Sequence, residues 1–270
     1  MIEWNVDPEI VRIGFISLRY YSLMFMLSFG IGIYIFHWVY KRENKPKADL
    51  DPLLIYMLFG TIVGARLGHC LFYDPAYYLS HPIKILHVWE GGLASHGAAI
   101  GILLSLYLFS RKRPDQPFLW VVDRMVITVA LAGCFIRLGN LFNSEILGKP
   151  ADVPWAFIFV RVDQIPRHPT QIYEALAYLV IFLILFYIYK KRGANTARGY
   201  LLGLFLALIF GFRFFVEFFK EIQSDFEAGM TLNMGQLLSI PAVIGGLILF
   251  LKAKEPTEPA GGQSKKKHKS

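Results

Sequence analysis

The sequence predicts an all-α polytopic membrane protein with seven transmembrane helices. Of its 270 residues, 55% are hydrophobic and 18% are charged, and the mean hydropathy is +0.44. An ordinary soluble domain has an apolar share of about 45 to 50%. A helix that crosses the bilayer core needs roughly 20 predominantly apolar residues. Seven stretches meet this need, at residues 18–39, 52–72, 94–110, 121–142, 172–189, 199–219 and 234–251.

The basic residues predict the orientation of these helices. Lysines and arginines cluster after the first, third, fifth and seventh stretches. Cytoplasmic loops are enriched in these residues. The N-terminus is therefore expected outside and the C-terminus in the cytoplasm, the arrangement that seven spans require. The four clusters lie at residues 41–47, 111–113, 190–198 and 252–269.

The same pattern predicts the domain organisation. Residues 1–251 are expected to form a single seven-helix membrane domain. Residues 252–270 hold six lysines against two glutamates and are rich in glycine and proline, which predicts a disordered basic tail in the cytoplasm. Because half of the net charge of +8 lies in this tail, the charge does not indicate a nucleic-acid partner. The tail is typical of a retention signal or of contact with anionic lipid.

A long segment between the fourth and fifth helices, about residues 143–170, is expected on the non-cytoplasmic side. A loop of that length in a compact protein is usually functional or disordered, and its aromatic and aliphatic content favours an ordered cap at the outer interface. The two cysteines, Cys70 and Cys134, fall in apolar stretches. Their spacing predicts neither a disulfide framework nor a metal site.

The end of the fourth stretch places polar residues where the chain is otherwise apolar. Arg137, Asn140 and Ser144 recur at i, i+3 and i+7, so they share one helix face if the helix persists. A charged group within a membrane is costly and indicates a functional site. A guanidinium there favours a phosphate or carboxylate, which it can bind through two parallel hydrogen bonds. The alternative is an internal ion pair of Arg137 with Glu145 or Glu174.

Two further sites hold polar groups in apolar surroundings. Arg213 and Glu217 are spaced as a helical i, i+4 ion pair, and such pairs within a membrane usually line a polar cavity. His96 lies at the outer end of the third stretch, where an imidazole could take a proton near neutral pH or serve as a structural hydrogen-bonding group. Gly97 and Gly101 form a small-xxx-small face that permits close helix approach. Arg66 is interpreted as a structural residue.

Five motifs resemble those of the prolipoprotein diacylglyceryl transferases of bacterial plasma membranes, and the likeness covers nearly the whole chain. The motif RLGNLFNSEILG, residues 137–148, is similar to the family pattern RxGNFxNxExxG, with Leu141 where phenylalanine is usual. The other four follow the same order as in the family. They are GGLASHG at 91–97, RHPTQIYE at 167–174, RFFVEFF at 213–219 and MGQLLSIP at 234–241.

The resemblance implies an enzyme that transfers the diacylglyceryl group of phosphatidylglycerol to the lipobox cysteine thiol of a preprolipoprotein, the first step of bacterial lipoprotein maturation. The products are a thioether and glycerol phosphate. The expected partners are phosphatidylglycerol and the preprolipoprotein signal peptide, with no cofactor, no metal and no nucleic acid. The resemblance also implies a multi-pass protein of the bacterial plasma membrane, with its active site facing the outer leaflet. A monomer is expected because no heptad pattern is present.

The resemblance also implies roles for individual residues. Arg137 and Arg213 bind and polarise the lipid headgroup, and His96 is the general base for the thiol. An arginine is the alternative base, although a guanidinium holds its proton so strongly that it is a poor one. The predicted substrate-binding residues are Tyr21, Gly97, Arg137, Asn140, Glu145, Gly148, Arg213 and Glu217.

Two functions of other classes compete with the enzyme. A lipid or anion transporter would use Arg137 and Arg213 as a midplane site, and it would need polar residues on the cytoplasmic side to complete a path. The fifth stretch, residues 172–189, is nearly featureless there. A non-catalytic lipid-binding scaffold would not need His96.

Overall fold

The structure, a computed structural model, describes residues 1–14, 16–222, 227 and 229–253. The predicted basic tail from residue 254 onward lies outside the described residues. Within the described part, the chain forms eight α-helices. They are α1 (Tyr20–Arg42), α2 (Leu50–Phe72), α3 (Pro75–Ser80), α4 (Ser95–Arg111), α5 (Phe118–Phe142), α6 (Thr170–Arg192), α7 (Tyr200–Val216) and α8 (Met234–Lys252).

Six helical segments of the described chain are long and apolar enough to cross a membrane, so the prediction of a helical polytopic membrane protein is confirmed. A 23-residue helix such as α1 is about 35 Å long at 1.5 Å per residue. The predicted stretch 94–110 coincides with α4, which has 17 residues and is shorter than all six segments. The seventh span therefore stays a prediction.

Five short strands accompany the helices, and the all-α prediction did not include them. They are β1 (Ile2–Trp4), β2 (Glu9–Ile13), β3 (Ile16–Arg19), β4 (Phe157–Phe159) and β5 (Pro166–Arg167). β1 pairs parallel with β4, and β4 pairs antiparallel with β5. β2 and β3 form an antiparallel hairpin. The segment between α5 and α6 thus joins the N-terminal strand in a three-stranded sheet.

The three-stranded sheet has its own small apolar core. Phe157 and Phe159 on β4 are buried together with Leu141 from the end of α5. Trp4 on β1 packs against them, and its indole nitrogen donates a hydrogen bond to the Leu141 carbonyl over 3.0 Å. Aromatic packing and a satisfied indole both stabilise the sheet against α5. The sheet therefore holds the end of α5, which carries the RLGNLFNSEILG motif.

The chain divides into two compact units, one of residues 1–35 with the chain from Asp123 onward and one of Phe36–Val122. In the second unit α2 packs against α4 over glycines. A β-carbon at Gly97 would collide with the backbone of Gly64 and Gly68, and one at Gly101 would collide with that of Gly60. Small residues permit such close helix contact. The predicted small-xxx-small face of Gly97 and Gly101 is confirmed.

In the first unit α7 packs against both α6 and α8. The N-terminus of α7 is held by Asp123, a fully buried carboxylate that accepts hydrogen bonds from the backbone amides of Gly199 and Leu202. The N-terminus of α8 is closed by a capping box between Asn233 and Gln236. Both devices satisfy amides that have no partner inside the helix. The capping box also holds Asn233 close to Glu217, to which its side-chain amide donates a hydrogen bond.

Candidate active site

The RLGNLFNSEILG motif ends α5 and continues into an irregular turn. Ser144 and Ile146 have φ of 54° and 56° in this turn, a conformation that is rare for residues with side chains and more so for a β-branched one. The start of α6 holds the turn in place. The Thr170 hydroxyl donates to the Ile146 carbonyl over 3.1 Å, and the Gln171 amide donates to the Glu145 carbonyl over 2.6 Å. Such conformations persist where neighbouring groups fix them, and they cluster at functional sites.

Asn140 lies between Arg137 and Glu145. The Arg137 guanidinium donates to the Asn140 side-chain oxygen over 3.3 Å, and the Asn140 amide donates to Glu145 over 3.3 Å. Asn143 donates a second hydrogen bond to the same carboxylate, over 3.1 Å. The structure thus connects three of the predicted site residues through one amide. Ser144, the third residue of the predicted helix face, lies beyond the end of α5.

Arg137 forms its ion pair with Glu174 of α6. The Arg137 Nε lies 3.2 Å from Glu174 Oε2, and the Glu174 side chain is fully buried. The sequence left Glu145 and Glu174 as possible partners of Arg137, and the ion pair is with Glu174. The Tyr178 hydroxyl, one turn along α6, donates to the other carboxylate oxygen over 3.3 Å.

Arg213 and Glu217 form the predicted i, i+4 pair at the end of α7. The Arg213 Nε lies 3.4 Å from Glu217 Oε1. Asn233, the N-cap of α8, donates to the other oxygen of Glu217 over 3.1 Å. The Arg213 side chain is 37% exposed, whereas that of Arg137 is 16% exposed. Arg213 is therefore the more accessible of the two cations.

Lys220 joins the two ion pairs, although it is not among the site residues predicted from the sequence. Its Nζ donates to Glu174 over 3.0 Å and to Glu217 over 3.1 Å, and its side chain is 3% exposed. The signal was present, since residues 213, 217 and 220 recur at i, i+4 and i+7. Lys220 and the four residues of the two ion pairs are called the charge cluster. Its members are Arg137, Glu174, Arg213, Glu217 and Lys220.

The backbone around Lys220 is fixed by the RLGNLFNSEILG motif. Lys220 pairs with Gly148 in an isolated antiparallel bridge, and the flanking amide of Glu221 donates to the Leu147 carbonyl over 3.1 Å. A β-carbon at Gly148 would collide with the backbone of His168. Gly148, predicted to shape the site, thus permits the close packing of three chain segments next to Lys220.

Arg167 on β5 ties these segments together outside the helices. It donates to the Gly148 carbonyl over 3.3 Å, and it forms ion pairs with Asp163 and Glu221. The hydrogen bonds from Arg167 lower the pKa of Asp163. The same bonds raise the pKa of Arg167, chiefly through Asp163. Both shifts favour the charged forms, so the ion pairs persist at neutral pH.

Tyr21, another predicted substrate-binding residue, belongs to the first unit. Its ring lies against Gly139 on α5, where a β-carbon would collide with it. Tyr21 also lies within electrostatic range of Arg137 and Glu145. The structure therefore brings six predicted site residues into one region with Arg137. They are Tyr21, Asn140, Glu145, Gly148, Arg213 and Glu217.

His96 and Gly97 belong to the second unit. His96 is an exposed residue in the first turn of α4, and its ring lies 5.3 Å from that of Phe72 and 5.9 Å from that of Tyr73. Gly97 is buried in the contact of α2 with α4. The structure gives Gly97 a packing role, and the catalytic role of His96 stays a prediction.

An apolar groove runs between α6 and α7. Its volume is about 780 Å³. Tyr173 and Phe219 line it, and each directly adjoins a member of the charge cluster in the sequence. The remaining lining is aliphatic and aromatic, and it includes Leu176, Val180, Ile184, Leu208, Gly211 and Phe212.

The fold and the site define a class of protein. It is a polytopic membrane protein in which a cluster of three cations around two buried carboxylates adjoins an apolar groove. Such a combination suits an amphiphilic anion, because guanidinium groups bind phosphate and an apolar groove buries hydrocarbon.

Comparison with known proteins identifies the family. The family model described as prolipoprotein diacylglyceryl transferase matches residues 8–252. The chain is 50% identical to a phosphatidylglycerol–prolipoprotein diacylglyceryl transferase of Chloroherpeton thalassium, over 93% of this chain and 94% of the relative. It is 48% identical to the protein of that name from Tolumonas auensis, over 94% of this chain and 99% of the relative. It is 47% identical to that of Bacteroides fragilis, over 94% of this chain and 96% of the relative. The chain belongs to the prolipoprotein diacylglyceryl transferase family.

Proposed function

We propose that this protein transfers the diacylglyceryl group of phosphatidylglycerol to the lipobox cysteine of preprolipoproteins. The sulfur forms a bond to the terminal glyceryl carbon, the bond from that carbon to the phosphate oxygen breaks, and glycerol phosphate leaves with the electron pair. Family membership and the names of the relatives support the reaction. The observation that carries it in the structure is the charge cluster, where three cations share two carboxylates.

The cluster supports a role in stabilising the leaving phosphate. Departure of glycerol phosphate increases the negative charge on the phosphate oxygens. Cationic donors held in place in a low-dielectric site stabilise such charge more than water does. Arg137 and Arg213 are assigned this role. Each engages its carboxylate through Nε at 3.2 and 3.4 Å respectively, and the terminal nitrogens of a guanidinium are those best placed to grip a phosphate bidentately.

His96 is proposed as the base that takes the thiol proton. A thiol has a pKa near 8.5, so a few per cent is thiolate at pH 7, and a neutral imidazole can accept the proton. His96 is exposed, as access of a peptide thiol requires. An arginine stays the alternative base, but a guanidinium keeps its proton at neutral pH, which disfavours that role. No cofactor or metal is required by this chemistry.

The groove between α6 and α7 is proposed to bind an acyl chain of the lipid. Glu174 on α6 and Arg213 on α7 place the charge cluster on the same two helices that form the groove. A diacyl lipid whose phosphate lies at the cluster could therefore bury hydrocarbon along both helices. Burial of apolar surface favours binding by about 25 cal/mol per Å².

The membrane arrangement is part of the proposal. Residues 1–251 form a single domain of seven spans, in which α4 crosses the membrane with about 26 Å of helix. The basic clusters support an external N-terminus and a cytoplasmic C-terminus. The sheet of β1, β4 and β5 then forms the extracytoplasmic cap. The protein acts as a monomer in the bacterial plasma membrane, with its site open to the outer leaflet.

Conversion of substrate by the purified full chain tests the proposal. The protein in detergent is mixed with phosphatidylglycerol and a lipobox peptide, and the peptide is analysed by mass spectrometry. A thioether-linked diacylglyceryl adduct is expected together with glycerol phosphate. A peptide with serine in place of the lipobox cysteine is the control and stays unmodified. Absence of the adduct from folded protein would refute the enzyme function.

Two further measurements separate the competing functions. Lipid movement across proteoliposomes without peptide modification would favour the transporter. Folded His96→Gln with full activity would show that His96 is not the base, while the reaction itself would stand. Binding of phosphatidylglycerol with no peptide modification by any variant would favour the scaffold.

A further inference from the structure

Lys220 is the cation of the charge cluster to which neither the resemblance nor the proposed reaction assigns a role. It is almost completely buried, with a side chain that is 3% exposed. A lysine is rarely buried unless it is paired, and removing one from water is costly. Its place between Glu174 and Glu217 therefore calls for a physical account.

Lys220 competes with both arginines for the same two carboxylates. Without it, Arg137 and Arg213 would each have one acid, and the four charges would cancel. With it, the five residues carry one net positive charge. A phosphodiester headgroup carries one negative charge, so binding of such a lipid would balance the cluster.

The hydrogen bonds show which cation holds the carboxylates. Lys220 donates to Glu174 over 3.0 Å and to Glu217 over 3.1 Å. In the described part of the chain, Oε2 of Glu174 has no hydrogen-bond partner, although it lies in the ion pair with Arg137. Nε of Arg213 also has none, although it lies in the ion pair with Glu217. Both carboxylates thus accept hydrogen bonds from Lys220, whereas their contacts with the Nε atoms of Arg137 and Arg213 are ion pairs without a directed hydrogen bond.

We propose that Lys220 is a positioning residue that draws Glu174 and Glu217 away from full pairing with the arginines and so keeps the charge cluster cationic for the lipid phosphate. This inference rests on the proposed function. The backbone bridge of Lys220 to Gly148 fixes it at this place in the fold. A purely structural lysine would hold α6 and α7 together without changing the affinity for an anion.

Steady-state kinetics of the purified full chain test the proposal. Phosphatidylglycerol is varied at saturating lipobox peptide for the wild type, Lys220→Met, Lys220→Gln and Lys220→Arg. Loss of one charge from a buried site is expected to raise the KM for phosphatidylglycerol about tenfold or more, with a much smaller change in kcat. Lys220→Arg keeps the charge and is expected to raise the KM much less than the neutral variants do. Lys149→Met changes an exposed lysine in the segment between α5 and α6. It is the matched control and is expected to leave KM unchanged.

The proposal is overturned if folded Lys220→Met keeps the wild-type KM, or if Lys220→Arg loses affinity as much as the neutral variants. A purely structural role would lower the melting temperature and the active fraction with KM unchanged. Should neither neutral variant fold, the double variant Lys220→Met, Glu174→Gln replaces them, since its two cations and one carboxylate again leave one net positive charge. A KM near that of the wild type is then expected, and a raised KM refutes the proposal.

A failure of the proposed enzyme function can be distinguished from a failure of the role proposed for Lys220. If the wild type does not modify the peptide, thermal stabilisation by phosphatidylglycerol and by zwitterionic phosphatidylcholine is compared directly. Lys220→Met is expected to lose the preference for the anionic lipid. An unchanged preference would refute the role of Lys220 independently of any catalysis.

Discussion

Arg66 and Arg137 are both arginines on apolar helices, and they differ in the groups that receive their hydrogen bonds. Arg66 is 3% exposed, and its guanidinium donates to the backbone carbonyls of Lys84, Ile85, Gly91 and Gly92. Arg137 instead faces a carboxylate that a lysine also binds. Carbonyl oxygens belong to the backbone and fix an arginine in place. A shared carboxylate leaves an arginine able to bind a further anion.

The contrast assigns the two arginines to different functions. Arg66 supports the turn before α4, and Tyr78 covers its guanidinium at 5.0 Å from the ring centre. The structural interpretation of Arg66 is confirmed by these contacts. Arg137 and Arg213 each face a carboxylate that Lys220 also binds, as the proposed binding site requires. Burial alone does not distinguish the two kinds of arginine, whereas the chemistry of the acceptor does.

Replacement of Arg137 or Arg213 by alanine is expected to have the largest effect on activity. Loss of one donor to a developing oxyanion costs about 10²- to 10³-fold in kcat. The fold should tolerate Arg137→Ala because Lys220 still donates to Glu174. Initial rates and melting temperatures of both variants are measured in the same detergent. Folded variants with rates near the wild type would show that the guanidinium groups do not act on the phosphate.

Arg66→Ala is expected to lower stability more than activity, the reverse of the arginine variants in the charge cluster. Four carbonyls lose their donor, and an unsatisfied buried polar group costs about 1 to 3 kcal/mol. A substantially lower melting temperature is therefore expected. Arg66→Lys should recover little of it, because an ammonium cannot reproduce the planar fork of donors. An unchanged melting temperature for Arg66→Ala would mean that the carbonyl contacts do not stabilise the turn.

Much of the helical framework could be predicted because hydrophobic runs report directly on helices in a membrane protein. Each predicted stretch coincides with a helix, including the 17-residue α4. The partner of Arg137 could be narrowed to two acids, since few carboxylates occur near it in the apolar part of the chain. The choice between Glu145 and Glu174 needed the three-dimensional structure, because it depends on how α6 packs beside α5.

The strands could not be predicted in the same way, and neither could the burial of Lys220. β1 and β4 have three residues each and pair across about 150 residues of sequence, so neither alternation nor a local turn indicates them. Lys220 follows an apolar helix and resembles a lysine at a membrane boundary. Its burial depends on the bridge with Gly148, a contact between distant parts of the chain.

Gly211→Phe tests the apolar groove with a smaller expected effect. Gly211 lines the groove, and a β-carbon there meets no atom within 4 Å, so the new ring should occupy the groove without straining the helices. We expect the KM for long-chain phosphatidylglycerol to rise roughly tenfold, since a lost acyl contact costs on the order of 1 to 2 kcal/mol. Gly245→Phe on α8, also with open space at its β-carbon, is the matched control. Equal KM values for both variants would exclude the groove as an acyl site.

The ion pair of Asp163 with Arg167 predicts the smallest effect, a loss of stability in acid. The pKa of Asp163 is lowered in the folded state by hydrogen bonds from Arg167, so its contribution is present above the unfolded pKa of about 3.9 and is lost as the pH falls through the folded value. Because Asp163 borders solvent, the contribution is at most about 1 kcal/mol. Asp163→Asn should therefore melt slightly below the wild type at pH 7, and the difference should vanish on acidification. Asp152→Asn, at an exposed aspartate of the same segment, is the control, and a difference between wild type and Asp163→Asn that persists at low pH would contradict the ion-pair explanation.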